Sequence, residues 1–496
     1  MAPDPTILSL APIALALVLS IATRQVILGL FAGLYLSVLM IHGPAPIDGL
    51  VTLIRDHVVP EVIDPYNAGV LVLLACIGGF VALLERSGGG TALALSLSKG
   101  VMTRTRVQLT AWASGILIFF SDLGTPLIVG PAFRSMFDRF HVSRQKLAYL
   151  IDTTASPVAI LIPFIGWGVY IMSLLNQQIE HLDLSRQDYE LLLSALPYQF
   201  YAWLALSSVP IMLLLRVEFG PMRAAEAVAK TANPSVDVAQ NSTTARGGAQ
   251  GRAIFIWLPL AVLGVMLFWI LGPQGFPFER VSGTDFRAGL SSAYILATLT
   301  LVSLMAIFRT QSLMSSLTAY INGMTRMMPI AVMLLLAWAM SHCLAQLGAD
   351  RFVAQALAAQ FDRTLLPPLI FIVACLISFA TGSSWGTFAL IFPLALPAAV
   401  AMDASLALSV AAVLSGGLFG DHASPISETT ILASAGADID TFEHFRTQLP
   451  YALMNGALCL AGLFLASATS LVWSLPILLA AQLTCLALIK QRLKPS

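Results

Sequence analysis

Charge is what this sequence has least of. Asp, Glu, Lys and Arg make up 10% of its 496 residues, whereas 57% are hydrophobic; soluble domains carry about 25% charged residues. A water-soluble fold of this size could not cover its surface. Neither sign is in excess, since Lys plus Arg and Asp plus Glu are 26 each, so nothing points to nucleic acid or to an anionic membrane surface as a partner. The five cysteines, Cys76, Cys343, Cys375, Cys459 and Cys485, lie in apolar stretches without paired spacing, which argues against a disulfide framework and a zinc site. A basic leader is also missing: Asp4 precedes the first apolar run and Arg24 follows it, so that run reads as a retained span rather than a cleaved signal. The Asn241-Ser242-Thr243 sequon falls in a segment assigned below to the cytoplasm and carries no weight.

What the chain does have is apolar runs of about 20 residues, enough to cross a bilayer, from end to end. Simple spans are expected at 7–23, 26–43, 67–85, 146–175, 192–215, 253–271, 289–308, 327–345, 405–434, 450–472 and 474–490. Two further stretches, 107–137 and 366–400, are interrupted by the polar clusters Ser121–Pro126 and Thr381–Thr387. A single membrane helix does not place such residues at its centre. Reading both as re-entrant hairpins puts Arg24, the Lys99 and Arg104 group, the Arg134 to Lys146 group, Arg309 and the Lys490 to Lys494 tail on one side, the cytoplasm. The acidic segments 48–64 and 180–190 then fall outside.

The expected fold is thus an all-α polytopic membrane protein of about 11 transmembrane helices and two hairpins, in two inverted repeats. The first repeat occupies 1–216, a cytoplasmic linker 217–252, the second repeat 253–473, and a final span with its tail 474–496. Each repeat reads as three spans, a short amphipathic segment (90–104; 350–363), a hairpin, a polar-broken helix and one more span. The N-terminus lies outside and the C-terminus in the cytoplasm of a bacterial inner membrane.

The hairpin tips share Ser-x-x-Gly-Thr-x5-Pro: Ser121, Gly124, Thr125 and Pro131 match Ser383, Gly386, Thr387 and Pro393. Glycine permits a tight reversal, and hydroxyls and freed carbonyls suit a hard cation. One such cluster would read as helix packing; two at equivalent places point to binding. Behind each tip comes a second duplicated motif, Asp152-Thr153-Thr154-Ala155-Ser156-Pro157 and Asp421-His422-Ala423-Ser424-Pro425. Each proline is expected to free a carbonyl four residues back, that of Thr153 or Asp421. A carboxylate at membrane depth is costly, so Asp152 and Asp421 are functional candidates by default. Helical spacing sets Asp421, Ser424, Ser427 and Glu428 near one face, and Asp152 with Ser156. An acid flanked by hydroxyls binds Na⁺ when ionised and loses it when protonated. Asp122, Thr125, Ser383, Ser384 and Thr387 complete the candidate ion or substrate site. His422 and Glu428 are candidates for pH tuning, against a structural histidine and an ion-paired glutamate; His342 reads as structural. Gly382-Ser383-Ser384-Trp385-Gly386 also fits the Gly-x-Ser-x-Gly pattern of serine hydrolases, but no strand precedes it, so an enzyme is not expected.

At these residues the chain resembles the NhaC family of Na⁺/H⁺ antiporters, within the wider ion-transporter superfamily. The likeness is densest over Ile128 to Tyr170, including Val129-Gly130-Pro131, Lys146-Leu147-Ala148-Tyr149 and Ile151-Asp152-Thr153-Thr154-Ala155, and returns at Thr381 to Thr387 and Gly420 to Thr430. The resemblance implies re-entrant hairpins, a transport domain moving against a scaffold, a homodimer, and Asp152, Ser156, Asp421 and Ser424 as ion-site positions. Such relatives usually carry two acids, an aromatic and an Asn at the first tip, where this chain has Ser121-Asp122-Leu123-Gly124-Thr125-Pro126. The expected activity is Na⁺/H⁺ exchange, with no cofactor beyond the transported ions. The alternative is Na⁺- or H⁺-coupled movement of a small organic acid or amino acid, in which Trp167 and Trp385 would line the pocket, although aromatic packing is the favoured role for each. A channel and an intramembrane hydrolase are remote alternatives.

Overall fold

A computed structural model describes residues 6–99, 103–231, 251–276, 281–469 and 473–493. Asp4, Lys494, the Asn241 sequon and most of the 217–252 linker lie outside these residues. Among the described residues every regular element is a helix. Eight helices among the described residues are long and apolar enough to cross a membrane, or ten if each of two bent pairs is one span. Six of the eight are foreseen spans and two are the arms of the stretch 366–400; with the two bent pairs, eight of the eleven foreseen spans are met, and the other three end early or break. Ile7–Thr23 is short, 146–175 divides into Arg144–Asp152, Ser156–Ala159 and Gly166–His181, and 405–434 into Leu406–His422 and Glu428–Ala437. In each stretch a break falls at the Ser-Pro step, where proline lacks the N–H that would continue the helix, and the first stretch breaks again over 160–165, which holds Pro163.

Two other elements depart from expectation. Leu313–Arg326 precedes Met328–Gln346, and the two run on as one span, Leu313–Gln346, where only 327–345 was foreseen. The segment foreseen as an acidic loop at 48–64 contains helix Pro46–Ile63, set at 106° to Val26–His42. Both interleave polar with apolar residues, which hides a helix from a search for uniform apolarity.

The two interrupted stretches double back. Arg104, opening the arm Arg104–Leu117, donates to the carbonyl of His141 at 2.6 Å, just past the end of the arm Gly124–Arg139. Likewise Arg363, just before Leu366–Thr381, pairs with Asp403 at 2.8 Å, just past Ser384–Ala401. The arms of the second stretch are long and apolar enough to span on their own; those of the first are 14 and 16 residues. Gly382 makes the second reversal in the left-handed region, at φ +68°.

Close helix crossings rest on facing glycines. A Cβ on Gly436 would lie 2.3 Å from the carbonyl oxygen of Pro126, and one on Gly130 would lie 2.2 Å from that of Gly436. This contact presses the helix after the second break against the first hairpin. Gly436→Leu is expected to lower the thermal unfolding midpoint of the purified protein, since overpacking against backbone costs about 1–3 kcal/mol; an unchanged midpoint would show that the crossing relaxes freely.

Candidate functional site

Asp152 is the last residue of its helix, whose N-terminus is capped by the Ser143 hydroxyl accepting from the Lys146 N–H at 3.2 Å. Asp152 is fully buried. Its Oδ2 accepts from Gln448 Nε2 at 2.6 Å and faces His444 Nε2 at 3.3 Å and His422 Nε2 at 3.6 Å, while Oδ1 has no hydrogen-bond partner. The same Gln448 nitrogen donates to the carbonyl of His422 at 2.7 Å, so one amide ties the two broken helices together. His422 is held on its other side, Nδ1 lying 3.0 Å from the Tyr201 hydroxyl. It is therefore hydrogen-bonded and also within reach of Asp152. Ser156 Oγ, buried beyond the break, has no partner.

Asp421 sits in the last turn of Leu406–His422 and is likewise buried. Its Oδ1 accepts from the Ser427 hydroxyl, and Oδ2 lies 3.5 Å from Thr429 Oγ1. Ser427 occupies the N-cap of Glu428–Ala437 yet makes no side-chain cap bond; its hydroxyl is turned to the carboxylate instead. The single face expected for Asp421, Ser424, Ser427 and Glu428 is not present. The helix stops at His422, so Ser427 reaches Asp421 across the break, Ser424 donates to the carbonyl of Phe379 at 2.9 Å, and Glu428 is exposed. Nor is the Asp421 carbonyl left free by Pro425, because it accepts from the Ser424 N–H at 3.2 Å. Among the described residues, no Lys or Arg pairs with Asp122, Asp152, Asp421 or Glu428.

The duplicated tip motif is a duplicated cap. Ser121 Oγ accepts from the Gly124 N–H at 2.8 Å and Ser383 Oγ from that of Gly386 at 3.2 Å. Thr125 and Thr387 each donate back to that serine's carbonyl at 2.8 Å. This geometry accounts for the spacing by itself. Ser384, the serine at the centre of the hydrolase-like pattern, donates to the carbonyl of Gly417 at 3.1 Å, a use of its proton different from the nucleophile-to-base bond that chemistry needs.

The tips meet through a tryptophan. Trp167 Nε1 donates to Asp122 Oδ2 at 2.8 Å, and its ring lies 4.9 Å from that of Trp385 on the second tip. Tyr170 packs on Trp385 and donates to its carbonyl at 2.8 Å. His342 lies in a different cluster, 2.6 Å from Glu61.

Sequence reasoning missed Tyr201, Thr429, His444 and Gln448. The last two belong to Thr441–Thr469, which begins nine residues before the span foreseen at 450–472. Asp440, Glu443 and Arg446 crowd the stretch before the apolar run, and within it His444 and Gln448 stand four apart and so on one helical face.

Residues 158–467 match the profile of the Na⁺/H⁺ antiporter family. A Haemophilus influenzae protein of unassigned function is 28% identical over 467 residues, 90% of this chain and 88% of that protein. The malate-2H⁺/Na⁺-lactate antiporter of Bacillus subtilis is 39% identical over 94 residues, 18% of this chain and 20% of the other. The structure of the YdaH transporter of Alcanivorax borkumensis superposes with a TM-score of 0.57 at 15% identity, covering 86% of this chain and 90% of that one, a likeness of fold. Matched over more than half its length, this multi-pass membrane protein, a secondary transporter, belongs to the Na⁺/H⁺ antiporter family.

Proposed function

We propose that the chain exchanges Na⁺ for H⁺, with the cation at Asp421 and the proton at Asp152. One observation carries this reading: two buried carboxylates, on broken helices that Gln448 ties together from Asp152 to the His422 carbonyl, have opposite surroundings. Asp421 is met by the hydroxyl oxygens of Ser427 and Thr429, the oxygen donors that a hard cation prefers. Ser384 and Ser424 complete that neutral set, each with lone pairs left after donating to a carbonyl. Asp152 is met at Oδ2 by nitrogen groups from Gln448, His444 and His422, of which the Gln448 N–H fills a place a metal cation would take, and keeps Oδ1 free for a proton. Ser156 stands by with an unused hydroxyl. Two positive charges this close in a weakly screening interior oppose each other, so arrival of Na⁺ at one carboxylate favours departure of H⁺ from the other. Thr125, Thr387 and Ser383 shape the tips, and Asp122 adds negative charge beside them.

The layout supports inverted repeats over 1–216 and 253–473. Leu406–His422, roughly 26 Å long at 1.5 Å per residue, starts beside Asp403 at the mouth of the second hairpin. The Glu428–Ala437 helix that follows ends at Asp438, which pairs with Arg144 at 2.6 Å near the mouth of the first. The two mouths thus lie at opposite ends of one broken helix. On this reading the protein is a homodimer in a bacterial plasma membrane, N-terminus outside.

Na⁺ or Li⁺ added to everted vesicles is expected to dissipate a preformed pH gradient. No response to either cation sinks the reading. The similarity to a malate/lactate antiporter, and the half-exposed Trp385 between the tips, favour as second reading the coupled exchange of small organic acids; counterflow of labelled carboxylates separates the two.

A further inference from the structure

We propose that Glu85 is a positioning residue for the exchange site, holding the first hairpin tip in place from outside the hairpin. Glu85 is in the last turn of Pro65–Arg86, and no motif singled it out. Its Oε1 accepts from the Ser121 hydroxyl at 2.7 Å, and its Oε2 accepts from Arg326 at 3.1 Å. The serine is thereby used twice, its lone pair capping Gly124 and its proton committed to the carboxylate.

The tip is also shaped to admit this acid. A Cβ on Gly124 would lie 2.6 Å from both Glu85 Oε1 and the Ser121 Oγ that bonds it, whereas one on the matching Gly386 would meet Val26. The two copies of the motif thus need glycine for different neighbours, and the first needs it for the serine–carboxylate pair. From Ser121 the chain passes directly to Asp122, which holds Trp167, whose ring packs at a tilt against Trp385. Glu85 therefore fixes, through two hydrogen bonds and one ring contact, how the two tips face each other. Its other oxygen binds the Leu313–Arg326 helix, so the anchor lies on two helices from different halves of the chain.

The role assigned to Glu85 rests on the Na⁺/H⁺ reading, but its test has an arm that does not. In a Cys485→Ser background, which leaves only buried native thiols, the half-exposed Leu123 is replaced by Cys as a reporter at the tip. Glu85→Ala is expected to raise the maleimide labelling rate of that reporter about fivefold, as the held conformation loses population. In the exchange assay the same change is expected to raise half-saturating Na⁺ roughly tenfold with the maximal rate within about twofold. Glu85→Gln, which still accepts from Ser121, should restore most of both. Gly124→Ala should mimic Glu85→Ala, and the double variant should be no worse than either single one. Unchanged labelling in Glu85→Ala, or additive effects in the double variant, overturns the proposal. Failure of the wild type to exchange Na⁺ would instead remove the Na⁺/H⁺ reading and leave the labelling arm to decide.

Discussion

Asp421→Asn is expected to abolish Na⁺-dependent dissipation of a pH gradient, with the rate falling at least about 100-fold. The substitution keeps size and hydrogen-bonding capacity but removes the charge that a dehydrated cation needs. Separating a buried ion from its partner costs about 3–5 kcal/mol, and 1.36 kcal/mol is a factor of ten in rate. Ser427 can still donate to the amide oxygen, so the break is expected to keep its shape and the variant to purify as the wild type does. Asp421→Glu preserves charge but pushes the carboxylate into Ser427, so partial activity with a raised half-saturating Na⁺ concentration is expected. Full exchange by Asp421→Asn in proteoliposomes would place the cation elsewhere.

Gln448→Leu is the second large effect. The substitution is nearly isosteric and apolar, yet it withdraws both the closest donor to Asp152 and the partner of the His422 carbonyl. Each buried acceptor left without its donor costs about 1–3 kcal/mol, more where the acceptor is charged. The expected outcome is exchange lowered at least about tenfold together with a lower thermal unfolding midpoint in detergent. Gln448→Glu, which sets a second carboxylate against Asp152, is expected to be worse than Leu at neutral pH and to recover as the pH falls and the pair takes up a proton. Equal activity of the Leu variant and the wild type would show that the two helix breaks work independently.

The parts of this molecule that break a rule were legible before the fold was seen. Small polar residues in the middle of apolar stretches marked both reversals, and Ser-Pro inside a helix marked both breaks, because membrane helices tolerate neither without a local reason. Asp152 and Asp421 were legible for the same reason. What surrounds them was not. Gln448, His444 and Tyr201 obey every rule of an ordinary helix end, and only the fold brings the first two to a carboxylate some 290 positions away and Tyr201 to His422, 221 positions away. The duplicated serine and threonine make matching cap bonds in both copies, but repetition alone could not separate a shared ligand from a shared cap. Pro46–Ile63 and Leu313–Arg326 were missed because polar residues interrupt their apolar ones, charged in the first and chiefly Ser, Thr and Asn in the second, which hides a helix wherever unbroken apolarity is the signal.

Trp167 carries one more consequence. It is bonded to one tip through its nitrogen and packed against the other through its ring, so the tips cannot part without altering the surroundings of an indole on both sides. A motion that opens a path to the carboxylates therefore writes itself into ultraviolet emission. The transporter contains its own optical gauge, placed where the two halves of the chain meet.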